Sequence, residues 1–182
     1  MLQEIIEGCR KGNPAHQRKL FELFAPVMMT VCRRYTSQQV EAYDILQDAF
    51  INVYRSFMQY DDTRGSIEGW IRKIVVNASI QHWKKYHKNM NIVSDDYLIE
   101  SHVSPEIEVS LNEEEILNLI NQLSKGYRLV FNLYAIDGYS HAEIADMLNI
   151  TESTSRSQLA RARKILQDTI NKMGKIVIHE EL

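Results

Sequence analysis

Apolar residues return at steps of three and four along almost the whole chain, and no run sustains the two-residue alternation of a half-buried strand. This periodicity restricts the chain to packed helices, because an amphipathic helix buries its apolar stripe only against another element. Leu2, Ile5, Ile6 and Cys9 form a short first stripe that Gly12, Asn13 and Pro14 close. A second stripe carries Leu20, Phe24, Val27, Met28, Val31 and Tyr35, and Pro26 inside it predicts a kink or a fresh helix start. The third is Ala42, Ile45, Leu46, Ala49, Phe50, Val53 and Phe57, broken by turn chemistry from Asp61 to Gly65. A fourth helix is predicted from about Ser66 to Lys88, with Ile67, Trp70, Ile71, Ile74, Val75 and Ala78 on its apolar side.

Periodicity then lapses from Asn91 to about Asn112, where Ser104-Pro105 interrupts the chain. Residues 91–116 hold eight acidic groups and no Lys or Arg, whereas 61–90 hold six basic groups against three acidic. This asymmetry is hidden in the net charge of -3 and says more about partners than the net value does. Four more helices are predicted at 113–122, 125–136, 140–148 and 152–171. The expectation is an all-α chain of two domains, 1–90 and 113–175, joined by an acidic linker at 91–112 and followed by a tail at 176–182.

Other features exclude function classes. At 45% apolar and 25% charged residues the composition is that of a folded globular protein. No stretch reaches the roughly 18 consecutive apolar residues of a membrane span, and the amino terminus lacks a signal-peptide pattern, so a cytoplasmic protein without membrane insertion is expected. Cys9 and Cys32 sit at apolar spacing without metal-ligand neighbours and read as buried free thiols. Asp44, Gln47 and Asp48 share a helix face away from the core. No His or Gly-rich loop is placed to complete an acid/base or metal site there, so an exposed acidic face for a basic protein partner is the simpler reading. No catalytic residue, metal or cofactor is expected.

The most specific motif lies near the carboxyl end. Ser140 with Glu143 has capping-box spacing, and Asn149 tolerates the left-handed conformation that ends a short helix. Thr151 then caps a longer helix in which Leu159, Ala162, Ile165 and Leu166 point inward, while Arg156, Gln158, Arg161, Arg163 and Lys164 are left outside. Ser153, Thr154, Ser155 and Ser157 crowd its first turns, and short hydroxyl side chains allow close approach to DNA. A short capped helix, a tight turn and a longer basic helix make a helix-turn-helix whose second helix enters the major groove amino end first. In the amino-terminal half, Trp70, Arg72, Lys73, Trp83, Lys84, Lys85, Tyr86 and Lys88 suit a single nucleic-acid strand, although Trp70 lies on the apolar stripe and reads first as core.

With these motifs in order, the sequence resembles the extracytoplasmic-function (ECF) group of the sigma-70 family over nearly its whole length. Asp44 to Phe50 is similar to region 2.2, and the resemblance implies that Asp44, Leu46, Gln47 and Asp48 meet the beta-prime clamp of core RNA polymerase. Trp70 to Asn77 resembles regions 2.3 and 2.4, which open the promoter's -10 element. By that resemblance Asp61, Arg64 and Ser66 lie in a loop that holds an unstacked base, and Trp70, Arg72, Lys73, Asn77, Gln81, Lys84 and Lys85 meet the opened strand. Glu152 to Arg163 resembles the region 4.2 recognition helix, implying that Ser153, Thr154, Arg156, Ser157, Gln158, Arg161 and Arg163 read the -35 element as duplex. Tyr43, Val76, Gln81 and Ser124 depart from the residues common at their places in the family. The implied partners are core polymerase (beta-prime clamp and beta flap), promoter DNA and an anti-sigma factor, with a monomer expected when free. A rival reading is an ordinary helix-turn-helix regulator with an amino-terminal sensing or dimerisation domain; it requires a palindromic duplex site and a stable dimer.

Overall fold

The computed structural model describes residues 1–86 and 111–180. They divide into two compact units that part between Asn89 and Met90. The expected acidic linker lies, up to residue 110, outside the described residues.

In the first unit, helix α1 spans Leu2–Arg10, α2 Pro14–Tyr35, α3 Gln39–Arg55 and α4 Ile67–Tyr86. Asn13 starts α2 by accepting from the amides of Ala15 (2.9 Å) and His16 (3.3 Å), and Pro14 takes the first helical position, where its missing N–H costs nothing. Pro26 does not restart the helix: α2 runs through it. Pro26 is exposed, so the carbonyl that loses its intrahelical donor has water within reach. Val27, expected on the core stripe, is also exposed, and the buried face is Leu20, Phe24, Met28, Val31 and Cys32. Cys9 and Cys32 are buried free thiols. Burial pushes the Cys32 thiol up to about 12, which keeps it protonated and unreactive near neutral pH.

The buried face of α4 is broader than its predicted stripe. Val76, Ser79 and Ile80 are buried, whereas Ile74 and Ala78 are half-exposed. The helix packs against both α2 and α3, and contact with two neighbours buries a wider arc than one stripe supplies. Ser79 tolerates burial because its hydroxyl donates to the Val75 carbonyl at 2.9 Å. Between α3 and α4 the chain turns on Phe57, which is buried edge-on against Trp70 (centroids 5.7 Å apart), with Tyr60 5.4 Å from the same indole. Arg10 of α1 donates to the Tyr60 carbonyl and the Tyr60 hydroxyl to the Gly65 carbonyl, and Gly65 takes φ 147°, open in practice to glycine alone.

In the second unit, α5 spans Glu113–Gln122, α6 Lys125–Phe131, α7 His141–Leu148 and α8 Glu152–Glu180. Asn112 and Glu115 form a capping box at the start of α5. The single helix expected at 125–136 is α-helical only to Phe131; Asn132–Ile136 widens into a π-helical segment, with the Asp137 amide donating to the Asn132 carbonyl at 2.9 Å. Helix α8 continues through the expected tail to Glu180. The core joins Leu117 and Ile120 of α5, Leu129 and Val130 of α6, Leu133 of the π segment, Ile144 and Leu148 of α7, and Leu159 and Ala162 of α8. Ile165, expected to point inward, is exposed.

Candidate nucleic-acid interface

The expected helix-turn-helix is present, and its corners are built by local chemistry. Ser140 Oγ accepts from the Glu143 amide while the Glu143 carboxylate accepts from the Ser140 amide at 2.8 Å, so both predicted partners fix the start of α7. Asn149 ends α7 at φ 56° and ψ 50°, the left-handed turn expected of it. Thr151 Oγ1 accepts from the Thr154 amide at 3.0 Å and opens α8.

That cap reassigns part of the predicted recognition surface. Thr154 is 6% exposed, and its hydroxyl pairs with that of Thr151 at 2.8 Å, so it is committed to the helix start rather than offered outward. Gln158, expected on the outer face, is 5% exposed because it lies one turn beyond Thr154 on the side that packs inward. Ser157 is half-buried and donates to the Thr154 carbonyl. Of the predicted residues, Ser153, Arg156 and Arg163 remain exposed, and Arg161 is half-buried with a guanidinium nitrogen 3.3 Å from the Tyr127 hydroxyl. Arg156 pairs with Glu152 one turn earlier; such an exposed pair is worth well under about 1 kcal/mol and yields readily to a DNA group.

One residue of this motif was missed by sequence reasoning. His141 stacks on Tyr134 (centroids 4.3 Å apart), its Nδ1 lies 2.9 Å from Ser155 Oγ, and the Arg163 guanidinium lies 5.8 Å from the centre of the Tyr134 ring. Ser155 is fully buried, and this bond satisfies its hydroxyl. Burial, with Arg156 and Arg163 nearby, lowers the His141 pKa against an opposing pull from Glu152. A His whose folded pKa lies below its ordinary value stabilises the fold fully above that ordinary value of about 6.5, and the contribution is lost as pH falls through the folded pKa. We therefore expect His141→Gln to flatten the pH dependence of second-unit stability below about pH 6.5. Hydrogen exchange of α7 and α8 amides across that range checks this, and an unchanged slope would sink it.

In the first unit, Asp44, Gln47 and Asp48 are exposed on α3 as expected. Leu46, grouped with them by resemblance, is 3% exposed and belongs to the core beside Ile45 and Ala49, as its place in the apolar stripe requires. The same α3 face exposes Val40 (72%), Tyr43 (50%) and Ile51 (46%) at helical steps from the acids. Asp61, Arg64 and Ser66 are exposed on the turn before α4. Asp61 accepts from the amide and hydroxyl of Thr63, which hold its carboxyl below the usual range, and Ser66 Oγ accepts from the Gly69 amide and opens α4. Along α4, Lys73, Asn77, Gln81 and Lys85 are exposed, while Trp70, Arg72 and Lys84 are half-buried. Trp70 thus joins the aromatic cluster as a half-buried residue. Among the described residues there is no metal-binding cluster of His, Cys, Asp and Glu, and no helix long and apolar enough to cross a membrane.

A helical bundle and a helix-turn-helix unit define a two-unit all-α protein. Residues 20–89 match the family described as sigma-70 region 2, and residues 113–166 match sigma-70 region 4. The chain is 30% identical over 135 residues to the ECF RNA polymerase sigma factor SigM of Bacillus subtilis, covering 72% of this chain and 80% of that protein. It is 28% identical to SigW of the same organism, covering 92% and 95%. Among solved structures, the sigma factor RpoE of Bartonella quintana, in complex with the anti-sigma factor NepR, has the same fold, with a TM-score of 0.51 at 22% identity over 85% of this chain and 96% of that one. The chain belongs to the sigma-70 family, within its ECF group of RNA polymerase sigma factors. These are alternative transcription initiation factors, not enzymes.

Proposed function

We propose that this chain binds core RNA polymerase through the exposed α3 face around Asp44, Gln47 and Asp48 and carries it to promoters that its two units read differently. The second unit reads the -35 element as duplex, with Ser153 and Arg156 at the amino end of α8 toward base edges and Arg161 and Arg163 toward phosphates. The first unit holds the separated -10 strand with the Asp61–Ser66 turn, Trp70, and the polar residues of α4, namely Arg72, Lys73, Asn77, Gln81, Lys84 and Lys85. The acidic segment between them separates two promoter-binding domains. The observation that carries this reading is the doubly capped α7–α8 motif, with Arg156 exposed one turn into α8, in a chain that matches both sigma regions. A cytoplasmic monomer held by an anti-sigma factor completes the proposal, supported by the Bartonella relative solved with such a partner.

Run-off transcription with purified core polymerase on a genome-derived promoter pool tests it. Site-selective transcripts dependent on the chain are expected; a dimer with a palindromic duplex site would instead favour the regulator reading. Within the selected promoters, Arg156→Ala should weaken discrimination at one upstream base pair by about 1 to 3 kcal/mol. Arg163→Ala should weaken binding evenly across sequences and shallow its salt dependence. Unchanged promoter preference in Arg156→Ala would remove that residue from base readout.

A further inference from the structure

The match to sigma-70 region 2 begins at residue 20, so α1 lies ahead of it, and every strand contact proposed above comes from Asp61 onward. Helix α1 is nevertheless firmly seated. Ile5, Ile6 and Cys9 are buried, and Gly8 lies so close to α2 that a Cβ there would stand 2.1 Å from His16 Cγ. The Asn13 amide donates to the Gly8 carbonyl at 2.9 Å and closes the corner between α1 and α2. From this seat Arg10, in the last turn of α1, reaches fifty residues along the chain, where a guanidinium nitrogen donates to the Tyr60 carbonyl at 3.2 Å. A cation in a last helical turn commonly serves the carbonyls of its own helix. Arg10 serves another segment.

The bond falls at a sensitive place. The Tyr60 carbonyl and the Asp61 amide share one planar peptide unit, so holding the oxygen fixes the direction in which the chain enters the Asp61–Ser66 turn. Tyr60 also ties the far end of the turn, because its hydroxyl donates to the Gly65 carbonyl at 3.3 Å. Its ring lies 6.3 Å from that of Phe57 and 5.4 Å from that of Trp70. Inside the turn, Asp61 accepts from the Thr63 amide at 3.0 Å and from the Thr63 hydroxyl at 2.7 Å. Those bonds shape the turn locally, whereas Tyr60 aims it, and Tyr60 is held from α1.

We infer that Arg10 is a positioning residue for the -10 strand: acting through the Tyr60 carbonyl, it aims the Asp61–Ser66 turn at the base that the turn holds, and so gives α1 a part in promoter readout. The inference rests on the reading of that turn as a strand contact and adds to it a helix outside the matched region. Arg10 itself touches no DNA in this scheme. Its loss therefore acts at one base rather than on phosphate attraction in general, since a displacement of about 1 Å is enough to spoil a positioned contact.

The test uses holoenzyme assembled from the full chain and core polymerase. Its ligand is a fluorescein-labelled single-stranded -10 oligonucleotide from a promoter selected by run-off transcription, read by anisotropy with an abasic site moved through it one position at a time. The position held by the turn is the one whose abasic penalty Asp61→Ala erases, about tenfold in affinity for one held base. Arg10→Met, which keeps the stem and removes the donors, should erase most of the penalty at that same position and leave the others unchanged. Arg10→Lys should restore part of it, because one ammonium can still donate to one carbonyl. Tyr60→Phe, which removes the tie to Gly65, should blunt the same position. Arg18→Met, which removes an exposed α2 cation paired with Glu22, should leave the parental profile. A parental profile in Arg10→Met overturns the inference. So does an even weakening at every position together with a lower melting temperature, because Arg10 then supports the fold alone. If Asp61→Ala leaves every penalty at its parental value, the turn holds no base, and that reading fails together with the inference. If Asp61→Ala erases one penalty and Arg10→Met does not, only the role of α1 fails.

Discussion

Replacing Asp44 and Asp48 together by Ala should lower affinity for core RNA polymerase by about 2 to 4 kcal/mol, roughly thirtyfold to a thousandfold, while leaving the promoter preference of the remaining holoenzyme unchanged. Both side chains are exposed and neither lies in the buried core, so the helix should survive their loss. A large effect is expected because the acids stand among uncovered apolar residues, Val40, Tyr43 and Ile51, which a partner would desolvate. Desolvated charge pairs at the centre of an interface are worth far more than exposed ones. Titration of core polymerase with labelled chain measures the affinity, and circular dichroism checks the helix content. Parental affinity in the double variant would remove this face from polymerase binding. Gln47→Ala, which changes no charge, should cost less than either acid.

What was legible in the sequence was what local chemistry fixes. The corners of the helix-turn-helix depend on Ser140, Glu143, Asn149 and Thr151, each acting within a few residues, and each takes its expected place. The acids of α3 were legible for a similar reason: three polar residues at helical spacing off an apolar stripe face outward wherever the stripe packs. Properties set by packing were less legible. Thr154 and Gln158 are polar, so they read as exposed, but a cap and an inward-facing register bury them. Leu46 entered the polymerase face by resemblance, although its own position in the stripe already placed it inside. Nothing in the spacing of Asn132 to Ile136 distinguishes a π segment from an α-helix, because the apolar pattern suits both. Only the packing of α3 against α4 makes Arg55 and Lys85 line one open groove.

Arg128 is the clearest case of a signal that composition hides, and it gives the second large prediction. It sits beside Leu129 and Val130 in an apolar stretch of α6 and is itself buried, an unusual position for a guanidinium. Its guanidinium donates to the carbonyls of Asn121 and Leu123, the latter at 2.9 Å, where α5 ends and the chain turns into α6. Those carbonyls belong to the set that a helix end leaves without intrahelical donors, so the side chain closes the α5–α6 corner from inside. Arg128→Met keeps most of the volume and removes the donors. Charge-assisted bonds are worth about 1.5 to 3 kcal/mol each, and relief from burying a charge offsets part of their loss, so a net destabilisation of about 2 to 4 kcal/mol is expected. Arg128→Lys should recover only a fraction, because one ammonium on a shorter stem cannot reproduce the planar fork. Since α6 packs along α8, the loss should loosen the recognition helix as well. Hydrogen exchange on the full chain reads this by unit: amides of α5 to α8 should lose protection while those of α1 to α4 keep theirs. Equal protection in both units of the variant and the parent would mean that the corner holds without Arg128.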